Sequence, residues 1–171
     1  MTTENGQSFE TSSGFSKKAL RIVEIARDEA LKLNHHHLQP KHLLLGLIKD
    51  PDVEHALKEV GVEPLIIHDA VITMFNISIS PGDRILSRDT SIHATHEVGQ
   101  VLSVATEEAK KRGTLEINHT DLLTGIIWQT NSTWRSHTSD ILASVGLGTY
   151  TPDQFRRLKK LYEILNEPKQ T

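Results

Sequence analysis

The sequence predicts an all-α domain of eight helices, built as two copies of a four-helix unit. Three observations carry this prediction. The stretch Ile25-Ala26-Arg27-Asp28-Glu29-Ala30, running on to His42-Leu43-Leu44-Leu45-Gly46-Leu47-Ile48, recurs 79 residues later. The second copy reads Val104-Ala105-Thr106-Glu107-Glu108-Ala109 and then Asp121-Leu122-Leu123-Thr124-Gly125-Ile126-Ile127, with no gap between the two blocks. Apolar residues follow helical spacing through both copies, and no alternating strand pattern appears. A period near 80 residues is too long for a solenoid repeat of roughly 20 to 50 residues, so it points to a tandem duplication of a helical half-domain.

At 171 residues the chain suits one fused domain, since domains typically run roughly 100 to 200 residues. Residues 1 to 14 read as a disordered leader, rich in small polar residues that cannot repay the entropy of ordering. Repeat one spans 15 to 76, a linker 77 to 91, repeat two 92 to 166, and a tail 167 to 171. Helix one starts at the N-cap Ser16. It presents Ala19, Ile22, Val23, Ala26, Ala30 and Leu33 on one face, and ends at Asn34 in a left-handed turn. His35 to Gln39 form a loop, and Pro40 opens helix two, which runs to about Ile48. Asp50 caps a third helix closed by Gly61, and Pro64 opens a fourth that turns Ile67, Val71, Met74 and Phe75 inward. Pro81-Gly82-Asp83 marks the linker.

Helix five starts near Ala94, repeats the face of helix one through Val98, Val101, Leu102, Ala105 and Ala109, and stops at Gly113. Asn118 caps helix six, with Asp121 at the third helical position in a variant of the capping box. Val60-Gly61-Val62 matches Val145-Gly146-Leu147 at an offset of 85, so six residues are inserted between Trp128 and Asp140. Thr151-Pro152-Asp153-Gln154 opens helix eight, which carries Phe155, Leu158, Leu161, Tyr162 and Leu165. The small residues Ala26, Ala30, Ala105 and Ala109 place helices one and five close to their neighbours, near the interface between the halves.

Composition narrows the function. The 19 basic and 22 acidic side chains give a formal charge of -3 without a basic stripe, so nucleic acid is not an expected partner. Cysteine is absent, which removes disulfides, thiolate metal sites and cysteine nucleophiles. No secretory signal and no membrane-length apolar run occur, and the expected location is the cytoplasm. There is no phosphate-cradling glycine loop and no nucleophile elbow, so neither nucleotide binding nor hydrolase chemistry is expected, and no cofactor is called for. His35-His36-His37 with His42, or His93 with His96, have residue types that ligate zinc or nickel. An exposed inter-helix loop and surface or helix-start positions account for them more simply, and no metal is assigned. Trp128 is placed in the core at the end of helix six, with Trp134 partly exposed.

The duplicated blocks resemble the N-terminal Clp repeat domain of the Clp/Hsp100 unfoldases, of the ClpC type. Phe15-Ser16-Lys17-Lys18-Ala19, Ala26-x-x-Glu29-Ala30, Leu33-Asn34-His35, Lys41-His42-Leu43-Leu44-Leu45-Gly46-Leu47 and the second copy carry the likeness, over about residues 15 to 165. The resemblance implies two four-helix repeats related by a pseudo-twofold axis. It further implies a non-enzymatic module that receives protein substrates and adaptors for an ATPase ring feeding a ClpP-type protease. Because no ring is present, the chain looks like a free-standing domain whose partners are a Clp ATPase, a ClpP-type protease, adaptors or substrates. The alternative role is a structural subunit or decoy that packs on the protease core or sequesters unfoldase ligands.

The same likeness implies a protein- or peptide-binding surface at Phe15, Lys18, Lys41, Ala94, Glu97 and Thr120. In the family, an acid opening each second helix is associated with reading phosphorylated arginine. Here those positions are Lys41 and Thr120, and Asp121 replaces the second histidine. The opening aromatic survives as Phe15 but is Ala94 in the second copy.

Overall fold

The structure, a computed structural model, describes residues 14–78, 92–131, 137–147 and 151–167. Among them are eight α-helices: α1 Lys17–Lys32, α2 Pro40–Ile48, α3 Pro51–Glu59, α4 Pro64–Ser78, α5 His96–Lys111, α6 His119–Asn131, α7 His137–Ser144 and α8 Pro152–Asn166. Two short strands, β1 His37–Leu38 and β2 His93–Ala94, join them. The chain is therefore helical as expected, although the reading without strands misses this pair. Helix α4 runs through Ser78, two residues into the expected linker. The rest of that linker, the leader up to residue 13 and the tail from 168 lie outside the described residues. No described helix is long and apolar enough to cross a membrane.

Helix ends follow the local chemistry of the sequence. Ser16 Oγ accepts from the N–H of Ala19 at 3.2 Å, which caps α1. Asp50 does the same for α3, accepting from Asp52 and Val53. Asn118 and Asp121 cap α6 reciprocally: the Asp121 N–H donates to Asn118 Oδ1 at 2.9 Å, and the Asn118 N–H donates to Asp121 Oδ2 at 2.8 Å. Thr151 and Gln154 exchange the same two bonds at α8. At α2 an imidazole fills the reaching-back role, with the Gln39 N–H donating to His42 Nδ1 at 2.9 Å. Asn34, with φ 59°, and Gly113, with φ 77°, end α1 and α5 at equivalent positions in the left-handed region. Helix α5 begins at His96 rather than near Ala94, because Ala94 is held in β2.

Tight packing of α1 on α2 and of α5 on α6 repeats through one contact. A Cβ added at Gly46 would lie 2.4 Å from the carbonyl oxygen of Ile22, and one at Gly125 would lie 2.3 Å from that of Val101. The backbones thus touch where the glycines sit, with Ala26 completing the seam beside Gly46. Small residues do allow close approach, but within each half. Between halves the central contact is α2 on α6, flanked by α1 on α6 and α2 on α5. Helices α1 and α5 were expected near that interface, and each does meet the other half, α1 on α6 and α5 on α2, beside the α2 and α6 helices that are buried on nearly every side. Beyond them α3 packs on α8 and α4 on α7, so each half's third helix lies against the other half's fourth. Each half thereby covers apolar surface that the other leaves bare.

The strands complete the interlock. Strand β1 pairs with β2 in parallel, His37 opposite His93 and Leu38 opposite Ala94. A second parallel bridge joins Phe15 to Ile117. Exchanging the halves through the 79-residue offset turns Ala94 and Leu38 into Phe15 and Ile117, so the two pairings are equivalents. The segment entering each half is held against the loop before the other half's second helix.

Candidate protein-binding site

The crossed strands sort the six expected residues into two clusters, each drawn from both halves. Phe15 pairs with Ile117, three residues before Thr120, and the Ser16 N–H donates to the Ile117 carbonyl at 2.8 Å. Ala94 pairs with Leu38, three residues before Lys41, and the Thr95 N–H donates to the Leu38 carbonyl at 3.0 Å. Phe15 and Lys18 therefore enter beside the start of α6, and Ala94 and Glu97 beside the start of α2.

Charge separates the two clusters. Lys18 is exposed in the first turn of α1 and forms an ion pair with Asp52. Its equivalent, Glu97, is exposed in the first turn of α5, where a hydrogen bond from its own backbone N–H holds the carboxyl below the ordinary range. Opposite signs stand at equivalent places, so the two faces differ in electrostatic character.

Lys41 and Thr120 are each the second residue of their helix, as expected, but both are buried. Lys41 is 8 % exposed and its ammonium lies 4.2 Å from the centroid of the Phe75 ring, while burial pushes its pKa down. Thr120 is 5 % exposed, and its hydroxyl has no hydrogen-bond partner in the structure. Neither side chain has the free reach of a surface residue.

Beside Lys41, His35 Nδ1 and His42 Nε2 are 2.8 Å apart, and the His42 ring stacks on Phe75 at 4.6 Å between centroids. Burial, followed by the neighbouring His35 and Lys41, lowers His42 to about 3, so it is neutral at physiological pH. His35 thus belongs to a packed cluster and not to an exposed loop, whereas His36 and His37 are exposed. His93 lies in a strand and not at a helix start. Among the described residues no group of three or more His, Asp or Glu side chains is placed to hold a metal ion.

The second half replaces this aromatic cluster with an ion pair. Arg112 Nε donates to Asp121 Oδ1 at 3.1 Å, and its Nη2 donates to Asp121 Oδ2 and to the Glu116 carbonyl. Tyr162 lies nearby, its pKa pushed up to about 12 by burial, with a hydrogen bond to Thr124 opposing the shift. Trp128, expected in the core, is 62 % exposed, at the position where the first half carries the exposed Lys49. Trp134 lies outside the described residues. Arg112 and Trp128 were absent from the expected site; the available signal was that Leu33 and Lys49 stand at the equivalent places of the first copy.

Comparison with known proteins agrees with this architecture. Residues 14–141 match the family described as the Clp repeat (R) N-terminal domain. The chaperone protein ClpB of Oceanobacillus iheyensis is 26% identical over 115 residues, 66% of this chain. The negative regulator of genetic competence ClpC/MecB of Bacillus subtilis is 27% identical over 115 residues, again 66% of the chain. The alignment covers only 13% of the length of each relative. Among solved structures, the N-terminal domain of the caseinolytic protease associated chaperone ClpD from Arabidopsis thaliana shares the fold. It has a TM-score of 0.62 at 19% identity, covering 89% of this chain and 97% of that one. With three-quarters of its length matched by the family, the chain belongs to the Clp repeat N-terminal domain family.

Proposed function

We propose that this domain is a non-enzymatic protein-binding module of a Clp unfoldase or protease system, which engages substrates, adaptors or Clp subunits. The observation that carries this reading is the pair of interlocked faces. Each joins an entry segment from one half to a helix start of the other, and they differ in charge through Lys18 and Glu97. Rigid backbone pairing beneath an exposed, asymmetric surface suits recognition of a folded or extended polypeptide, because little entropy is lost on binding. The likeness to ClpB and ClpC supports the choice of partner system. Pull-down of a Clp ATPase and of its protease with the tagged protein tests it. Retention of the ATPase, lost with Lys18→Glu combined with Glu97→Lys, supports the reading, and retention of neither component overturns it.

On this reading the module discriminates against phosphoarginine. Lys41 cannot accept from a guanidinium and Thr120 offers one hydroxyl, whereas the family's acid offers two carboxylate oxygens.

A further inference from the structure

The duplication supplies an internal template for a ligand. In the first half the buried carboxylate of Glu29, with its side chain 7% exposed, receives two ammonium groups. Lys32 reaches it at 2.7 Å from one turn along α1, and Lys49 reaches it at 2.7 Å from the end of α2. The 79-residue offset carries these three positions to Glu108, Lys111 and Trp128. The first pair persists, with Lys111 at 2.6 Å from Glu108. The cross-helix ammonium does not: an indole stands in its place, and the Glu108 side chain is 29% exposed.

Glu108 and Trp128 share a cavity of about 330 Å³ with Arg112, Thr120, Tyr162 and Asn166. Two features make it receptive. The Thr120 hydroxyl is buried there without a partner, although a buried polar atom ordinarily finds one. The cavity's own cation is committed, because Arg112 is bound to Asp121 and the two cancel. Locally the second half holds Glu108, Lys111 and this neutral pair, while the first holds Glu29, Lys32 and Lys49. One added cation gives the second half the charge balance that the first carries within its own chain.

We propose that the cavity receives a lysine side chain of another polypeptide. Its ammonium takes the place beside Glu108 that Lys49 takes beside Glu29, and its methylenes lie along the indole of Trp128. An exposed indole attracts a cation over its face and covers an alkyl stem at the same time. Acceptors for the remaining ammonium hydrogens are the Thr120 hydroxyl and the carboxamide oxygen of Asn166, whose Nδ2 donates to the Tyr162 carbonyl at 2.9 Å. Lysine fits better than arginine, because a single carboxylate already shared with Lys111 leaves no pair of parallel acceptors for a guanidinium fork. The inference refines the protein-binding reading by naming a side chain of the partner.

Nα-acetyl-lysine amide, titrated while the indole N–H of Trp128 is followed by NMR, tests this without any Clp protein. A Trp134→Phe variant assigns the signal. A saturable shift is expected, at least tenfold weaker for the Nε-acetylated probe and for Glu108→Gln. Trp128→Lys is the complementary variant, since it supplies the missing ammonium internally; it should raise the unfolding midpoint. Equal binding of both probes, undiminished binding by Glu108→Gln in folded protein, or no saturable shift would each overturn the proposal. A negative titration beside a positive pull-down retires the pocket and leaves the broader reading standing.

Discussion

His35 Nδ1 and His42 Nε2 lie 2.8 Å apart, one ring donating and the other accepting, so at least one of the two imidazoles is neutral. Because His42 is fully buried against Phe75 and falls from an ordinary value of 6.5 to about 3, the proton is excluded from its ring in the folded state. The unfolded chain binds that proton near pH 6.5. Between these values the unfolded state holds more protons, so stability is complete above about pH 6.5 and declines as the pH falls toward 3. One proton corresponds to a slope of about 1.4 kcal/mol per pH unit. Urea unfolding at pH 7, 6 and 5 should show this decline, with a shallower one in His42→Leu. Parallel slopes for the two proteins would contradict the assignment.

Gly46 and Gly125 are expected to be intolerant of a single methyl group. A Cβ at either site meets a backbone oxygen of the neighbouring helix at 2.4 or 2.3 Å, and backbone cannot swing aside as a side-chain tip does. Gly46→Ala and Gly125→Ala should each cost about 1–3 kcal/mol, the range for overpacked cores, even though alanine favours a helix. Gly99→Ala is the control, since a Cβ there meets nothing within 4 Å. Denaturation midpoints would decide it, and two variants as stable as the parent would show that the helix pairs separate freely.

The Arg112–Asp121 pair should matter more than the ion pairs on the outer surface. Asp121 is 3% exposed and also accepts from the Asn118 N–H, so removing the guanidinium leaves a buried carboxylate only half compensated. Arg112→Ala is expected to cost about 2 kcal/mol, between the values for exposed and fully buried pairs. Lys58→Ala, which breaks an exposed pair one turn apart on α3, should leave the denaturation midpoint nearly unchanged. Equal effects from the two substitutions would show that Asp121 is better solvated than its burial implies.

Phosphoarginine should bind weakly or not at all. A charge-assisted bond from guanidinium to carboxylate is worth about 1.5–3 kcal/mol, and about 1.4 kcal/mol is tenfold in affinity. Without an acid at either helix start, each site should lose more than tenfold, and Lys41→Glu with Thr120→Glu should recover part of the loss. The positive ends of the helix dipoles at the starts of α2 and α6 still favour an anion, so inorganic phosphate is the comparison ligand. Calorimetric titration of both proteins with free phosphoarginine checks this; tight binding by the unsubstituted protein would assign the acid's role to another residue.

Helix number, most helix ends and the duplication were readable from residue order because each rests on neighbours in the chain. Ser16, Asn34, Asn118 with Asp121, and Thr151 with Gln154 act on backbone groups within a few residues, and all occupy the places that their side-chain chemistry suggests. The six-residue insertion was also visible, since Gly61 and Gly146 adopt the same left-handed conformation, φ 75° and 80°, at an offset of 85. The matched A-x-x-E-A and L-x-G blocks were enough to indicate the family.

Other features depend on groups far apart in sequence, and no local pattern encodes them. Pairing of Phe15 with Ile117 and of Leu38 with Ala94 crosses the halves, and two-residue strands are too short to alternate visibly. At the interface α2 and α6 are buried on nearly every side, whereas α1 and α5, which also reach the other half, each keep a charged face toward water. His35 left the exposed loop because Phe75, 40 residues away, offers a ring against which it packs at 4.6 Å. Lys41 looked like a surface cation in the sequence and is covered, while Trp128 looked like core and is exposed. In both cases the side chain's own preference yielded to what the opposing helices left open, a choice made by packing between segments that share no local sequence.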